Sequence, residues 1–351
     1  MTHNDRRFNE LDFLRGLACL AVVLFHYVSR GPRGDAAGSW LPGVSMPALD
    51  SITRYGYLGV HLFFAISGFV IIMSTERATP RSFAVSRISR LYPAFWVAAP
   101  VAALAALFFH DTRWQASVST VLLNLTMVPH WFNAPLVDAA YWSLAVEIHF
   151  YIAVWLILRL GLIEKIDWIL LAWLATSTIN TLRPSWPLIF WLNAQWAPFF
   201  AIGILSYIVR KRGITKLRLG MALLALVLAV VNALVEARDF GPSMQLDRSP
   251  WVVAMVVAGI FFVFSCIAFR VWQMQASPFV AALGLLTYPV YLLHQNLAYV
   301  MFGALQPPPH YAGTALLFIF AAIVLLAWIV NLYVERKVAP LLKRWLNPHP
   351  I

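Results

Sequence analysis

Apolar residues run through this chain in blocks of about twenty, broken by short polar connections that hold most of its charge. Blocks long enough to cross a bilayer lie near 11–29, 57–75, 92–109, 141–158, 166–182, 188–209, 217–235, 250–269, 279–303 and 313–333. A shorter block, 117–131 (SVSTVLLNLTMVPHW), is either an eleventh span or a segment that dips into the membrane. Charge decides between them. With the N-terminus cytoplasmic and 117–131 not crossing, Arg6, Arg7, Arg15, the arginines of 81–90, the cluster RKRGITKLR (210–218) and the basic residues of 336–344 all fall inside. That matches the excess of Lys and Arg in cytoplasmic loops. An eleventh crossing would push the 210–218 cluster outside. The pattern therefore predicts an all-α integral membrane protein with about ten transmembrane helices. Both termini are expected to be cytoplasmic, and 110–140 to be an outer loop able to dip into the membrane.

Composition agrees. Of 351 residues, 61% are apolar and 12% charged, where a soluble domain carries about a quarter charged. No hydrophilic stretch is long enough to fold alone, so residues 1–351 are expected to form a single transmembrane domain with no separate soluble one. Arg6 and Arg7 ahead of an apolar run resemble a signal peptide, but no small-residue cleavage site follows and Arg15 interrupts the run, so an uncleaved first span is expected. The net charge of +11 is spread over short loops, which argues for membrane topology and against nucleic acid. Cys19 and Cys266 lie in apolar runs with no metal or redox spacing and are expected to be small core residues. No metal site is expected. No fixed-period repeat appears, which excludes a solenoid, and the sequon-like Asn124-Leu-Thr126 is expected to be chance.

Candidate chemistry comes from ionisable residues inside spans, which are expensive there and mark function. The first span, LDFLRGLACLAVVLFHYV (11–28), carries Arg15 and His26. Eleven residues at about 100° each return within roughly 20°, so the two share a face, about 16 Å apart along the axis. Arg15 is expected near the inner surface, with Asp12 one turn before it as a possible partner, and His26 in the outer half. The block YWSLAVEIHFY (141–151) sets Ser143, Glu147 and Tyr151 on one face at four-residue steps. If this helix enters from outside, Glu147 reaches about 9 Å down, near the depth of His26. It is then the natural partner of that imidazole, while His149 points elsewhere and is expected to pack or touch a loop. In GYLGVHLFFAISGFVI (56–71) the glycines permit close helix approach, and His61 either lines the same cavity or is a satisfied core histidine. TYPVYLLHQNL (287–297) offers Tyr291, His294 and Gln295. On the inner side RSFAVSRISRLYP (81–93) holds Arg87 and Arg90 on one helical face, opening towards Arg15. Three converging guanidiniums suit a polyphosphate ligand.

The order of these blocks, with GYLGVHLFFAISGF, RISRLYP, WSLAVEIHFY and LGLLTYPVYLLHQNL, resembles the transmembrane acyltransferase-3 family of bacteria over roughly residues 9–335. The resemblance implies a ten-span protein of the bacterial inner (cytoplasmic) membrane. Such a protein moves an acyl group, acetyl by default, from cytoplasmic acyl-CoA to a hydroxyl of a glycan or glycolipid at the outer side. It implies His26 as the essential histidine, Arg15 as its paired arginine, Arg87 and Arg90 as the basic motif, and Glu147 as the acidic residue of the Trp-Ser-Leu block. This chain departs from the family pattern at His61, where many members have Asp, and at Ile148-His149, where many have Glu-Gln. The hydrolase-like extra domain of some members is not expected here.

The mechanism expected from charge placement and resemblance together puts the donor phosphates on Arg15, Arg87 and Arg90. The pantetheine arm would then carry the thioester to His26, with Glu147 fixing the ring. His26, Trp142, Ser143, His61, Tyr291 and His294 would surround the substrates. His26 acts either as general base or as acyl-imidazole carrier, and the residues do not choose. The co-substrate expected is acyl-CoA, the partners a carbohydrate or glycolipid acceptor and membrane lipids, with no nucleic acid. The rival reading is a transporter or flippase for a sugar or lipid without acyl transfer. Against it stand the lack of visible inverted repeats and of broken paired spans. A pH-gated channel is a third reading.

Overall fold

A computed structural model describes residues 8–240 and 246–347; Arg6 and Arg7, counted above as inner charges, lie outside the described residues. The chain is helical almost throughout, with no strand among the described residues. Its main helices are α1 (Asn9–Leu24), α2 (Gly59–Ser74), α3 (Pro80–Phe108), α4 (Trp142–Arg159), α5 (Ile166–Leu182), α6 (Ala197–Arg212), α7 (Lys216–Phe240), α8 (Pro250–Ala268), α9 (Pro278–Leu293), α10 (Asn296–Leu305) and α11 (Ala312–Val330). Eight helical stretches among the described residues are long and apolar enough to cross a membrane. The remaining two expected spans take other forms. Residues 166–182 give the 17-residue α5, and 279–303 divides into α9 and α10. The segment 117–131 forms a helix of only seven residues, Val118–Asn124, about 10 Å long and too short to cross. Asn124 is fully buried and bonds Thr120, Pro135 and Val137, so its sequon is unusable.

α1 lies at the centre, packed between α2 and α9, and α2 packs most extensively on α6. Between lipid-solvated helices there is little hydrophobic drive, and close backbone approach does the work instead. A Cβ on Gly203 would fall 1.8 Å from the Ala65 carbonyl oxygen, and one on Gly68 2.1 Å from that of Phe200. Gly56, just before α2, makes the same approach to Ala21 of α1. The glycines of the second span thus fix where α2 sits against both neighbours.

Two apolar segments are broken, contrary to the expectation of uninterrupted spans. One break follows the short helix Trp186–Leu192, where Asn193 takes a left-handed conformation (φ 50°) and its side chain bonds the Val146 carbonyl before the next helix starts at Ala197-Pro198. The other is at His294-Gln295, between α9 and α10.

Candidate active site

The α9–α10 break organises the site. Ending a helix inside a membrane protein frees carbonyls that lipid cannot satisfy. Here side chains from three elements take them up. The Tyr141 hydroxyl donates to Leu292 O at 2.9 Å, the Tyr27 hydroxyl to His294 O at 2.8 Å, and His294 Nδ1 to Tyr291 O at 2.6 Å. The buried Asp138 carboxylate accepts the first amide of α10, Asn296 N, at 2.8 Å and Ala140 N at 2.9 Å. One acid therefore caps α10 and the turn leading into α4, tying both to the break. Burial pushes the Asp138 carboxyl up to about 6, against the pull of its amide donors.

Beside the break, α1 widens into a π-helical turn, Phe25–Arg30, a form that recurs at functional sites. His26 sits there, half-buried, its ring centroid 5.2 Å from that of His294. The hydroxyl of Tyr299, on α10, lies 3.2 Å from the His26 carbonyl and 3.3 Å from His26 Nδ1. A tyrosine has one proton to give, and the carbonyl can only accept. With that proton on His26 O the phenolic oxygen accepts from Nδ1–H; with it on Nδ1 the carbonyl keeps the Gly31 amide as its donor. The first arrangement leaves His26 Nε2 as an unprotonated lone pair. The same logic applies to His294, whose Nδ1 faces a carbonyl. Its Nε2 is buried with no protein partner among the described residues.

At the Arg15 end of α1 a cavity with about 800 Å³ of empty space, open mouth included, runs between α1, α2, α3, α4 and α9. Arg15, Arg87 and Arg90 line it together, as the sequence suggested, with Glu147, Ser67 and Tyr151. Arg15 bonds Asp12 at 3.0 Å. Arg87 donates to Ser86 while its Nε is buried without a partner, and Arg90 is exposed at the mouth. Arg15, Arg90, Gly284 and Tyr288 also line an adjoining cleft with Asp12, Glu335 and Arg336, so the cavity opens at that end. Its other end reaches Ser143 and Tyr291, whose hydroxyls lie 2.6 Å apart. Tyr291 is also the residue whose carbonyl holds His294.

Several placements differ from expectation: His26, His61, Trp142 and His294 are not among the residues that line the cavity. Glu147 does not pair with His26. Its carboxylate accepts from Tyr151 OH at 2.5 Å and from Ser67 Oγ, among the arginines. The reason is vertical. Asp138 starts the α4 segment at the level of the break, and so of His26. Glu147, nine residues on, lies about 13 Å further along, near the level of Arg15. His61 does not line the cavity either. It is buried against Phe199 at 4.4 Å, with Nε2 2.8 Å from Glu236 Oε2 on α7. Trp142 packs beside the cavity on Phe64 and Trp196. His149 accepts from Trp131 Nε1 at 2.8 Å within an aromatic cluster that includes Phe190 and Trp191. Tyr299 and Asp138 went unread in the sequence. Asp138 had a signal, a helix-capping residue just before an apolar run. Tyr299 had none, being 273 positions from its partner.

The whole is a multi-pass helical bundle with a three-arginine cavity at one end of α1 and a pair of histidines at the other. The model of the family described as acyltransferase domain matches residues 8–334, and the chain belongs to that family as a multi-pass membrane protein. It is 28% identical over 213 residues to an acetyltransferase-named protein of Acidianus two-tailed virus, a match covering 58% of each chain. It is 27% identical over 161 residues to the peptidoglycan O-acetyltransferase OatA of Listeria monocytogenes, covering 40% of this chain and 22% of that one. The match thus spans less than two thirds of either relative. No solved structure matches. Family membership favours the enzyme reading over the transporter reading.

Proposed function

We propose that this protein transfers an acyl group, acetyl by default, from cytoplasmic acyl-CoA to a hydroxyl of a glycan or glycolipid at the outer face of a bacterial inner membrane. In this reading residues 1–351 act as one transmembrane catalytic domain, with the Arg15 end inward. The observation that carries it is that α1 presents Arg15 to a cavity shared with two further arginines and His26 to the α9–α10 break.

The guanidiniums of Arg15, Arg87 and Arg90 hold the donor's phosphates, and the unpartnered Arg87 Nε–H is a donor in wait for one. The pantetheine arm lies along Val60, Phe63 and Ile66 towards Ser143 and Tyr291, and Tyr291 holds the His294 ring that lies beside His26. Acyl-CoA is too charged to cross, but its acyl end need travel only the ~16 Å between the Arg15 and His26 levels. His26 Nε2, kept unprotonated by Tyr299, has two uses. As general base it takes the acceptor's proton while the acceptor oxygen attacks the thioester carbonyl and the C–S bond breaks. As nucleophile it forms the N–C bond itself, CoA leaves as thiolate, and the acceptor oxygen then displaces the imidazole, its proton passing to His294 Nε2. Glu147 belongs to the donor end, balancing the arginines.

The test is release of free thiol from acetyl-CoA by the purified protein, with mass spectrometry of envelope glycans and lipids from cells with and without it. Thiol release together with a lost acyl group supports the reading. No release with a range of acyl-CoA donors contradicts it.

A further inference from the structure

Tyr299 has a second face. Away from His26 it forms the wall of a pocket with Trp40, Trp114, Asp111, Arg113 and Gln306, separate from the arginine cavity and enclosing about 950 Å³ of empty space, open mouth included. The Trp40 and Trp114 rings meet edge to face at 5.3 Å, and both lie against Tyr299, at 5.2 and 5.7 Å. The Arg30 guanidinium stacks on Trp40 at 4.2 Å. The Trp40 indole N–H is buried and has no protein partner among the described residues.

We infer that this pocket holds one neutral pyranose ring of the acceptor and so sets which hydroxyl is presented to His26. The inference rests on the acyl-transfer reading above for its purpose, and on the pocket for its chemistry. A pyranose has an apolar C–H face and a rim of hydroxyls. The aromatic walls match the first. Asp111 accepts from the rim, while Arg113, Gln306 and the orphan indole N–H donate to it. A lipid tail would leave these polar groups desolvated and unpaired, which is unfavourable. An acidic sugar would meet Asp111. The Tyr299 hydroxyl is 3.3 Å from His26 Nδ1, so a ring stacked in the pocket lies one tyrosine's width from the imidazole. A sugar linked to that ring and extending past Tyr299 is the one that presents its hydroxyl to His26. The pocket adds no chemical step; it positions the acceptor oxygen.

Gly303, on α10, forms part of the pocket wall. A Cβ there would meet only Asp111 Oδ2, at 3.5 Å, an ordinary contact, so Gly303→Leu fills the pocket without moving backbone. The test is saturation-transfer NMR on the full chain in nanodiscs, with cellobiose and chitobiose as probes. Wild type is expected to saturate the ring protons of at least one disaccharide. Gly303→Leu and Trp114→Ala, with thermal midpoints near that of wild type, are expected to bind about tenfold more weakly. Trp191→Ala, in the exposed aromatic cluster, is expected to keep full signal. No saturation of either probe by wild type, undiminished signal in a folded Gly303→Leu, or loss of signal in Trp191→Ala overturns the proposal. The readout needs no turnover, so failure of thiol release from acetyl-CoA is a separate result that removes the acyl-transfer reading alone.

Discussion

Tyr299→Phe isolates the hydroxyl that sets the His26 tautomer. The phenyl ring stays against Trp40 and Trp114, and the His26 carbonyl keeps its other donor, the Gly31 amide. Only Nδ1–H loses its partner. Leaving such a donor unpaired in a half-buried site costs about 1–3 kcal/mol. The missing bond matters most when the imidazole carries positive charge, in the transition state, so the loss belongs in kcat. At 1.36 kcal/mol per factor of ten, the expected fall is roughly 5- to 150-fold. The KM for acetyl-CoA is expected to hold, because the proposed function puts the donor's phosphates on the arginines at the far end of the cavity. The assay is thiol release at saturating acetyl-CoA, with thermal midpoint as the check on folding. A well-folded variant within twofold of wild type refutes the tautomer assignment. A fall confined to KM for the donor would place Tyr299 at the wrong end of the path.

Arg87→Ala removes a buried guanidinium from the donor cavity and is expected to raise the KM for acetyl-CoA at least tenfold, since a hydrogen bond to a charged group is worth about 1.5–3 kcal/mol; steady-state kinetics over donor concentration reads this. Glu147→Gln is expected to move donor KM while leaving the pH profile of kcat in place; a shifted kinetic pKa would restore the His26–Glu147 pair. Asp138, raised from 3.8 to about 6, is protonated in the fold over a range where the unfolded chain has already ionised. Its stabilising contribution is complete below about pH 4 and is lost as pH rises through 6, on the order of 3 kcal/mol for two units. Thermal midpoints are therefore expected to fall between about pH 4 and 6 and to level off above that, and Asp138→Asn to flatten the slope. Gly203→Ala forces α2 from α6 and is expected to destabilise by about 1–3 kcal/mol, read as a lowered thermal midpoint.

The hydrophobic pattern located the eight helical stretches that, among the described residues, are long and apolar enough to cross, because spans are long and lipid leaves no alternative to the helix. The arginine cavity was also legible: Arg87 and Arg90 needed only helical spacing, and Arg15 only its place at one end of α1. Glu147 was misplaced because its depth was counted from a membrane surface. The true start of α4 is set by Asp138 binding Asn296 N, a contact between segments 158 residues apart. The α9–α10 break was hidden for a related reason. Pro289 lies inside α9 and does not end it. The helix ends four residues later, at Leu293, where Tyr141, Tyr27 and the His294 ring take the freed carbonyls. His61 is the satisfied core histidine of its two readings; the sequence left both open because its partner, Glu236, comes from a helix that spacing cannot bring alongside.

The central claim is that the imidazole of His26 does the chemistry on a donor held by arginines one helix-length away. It is tested most directly by incubating purified His26→Ala protein, verified as folded by its thermal midpoint, with radiolabelled acetyl-CoA and envelope acceptor. The account predicts that wild type transfers label and that the variant transfers none while still binding acetyl-CoA with unchanged affinity. Transfer by the folded variant at a rate near wild type would contradict it.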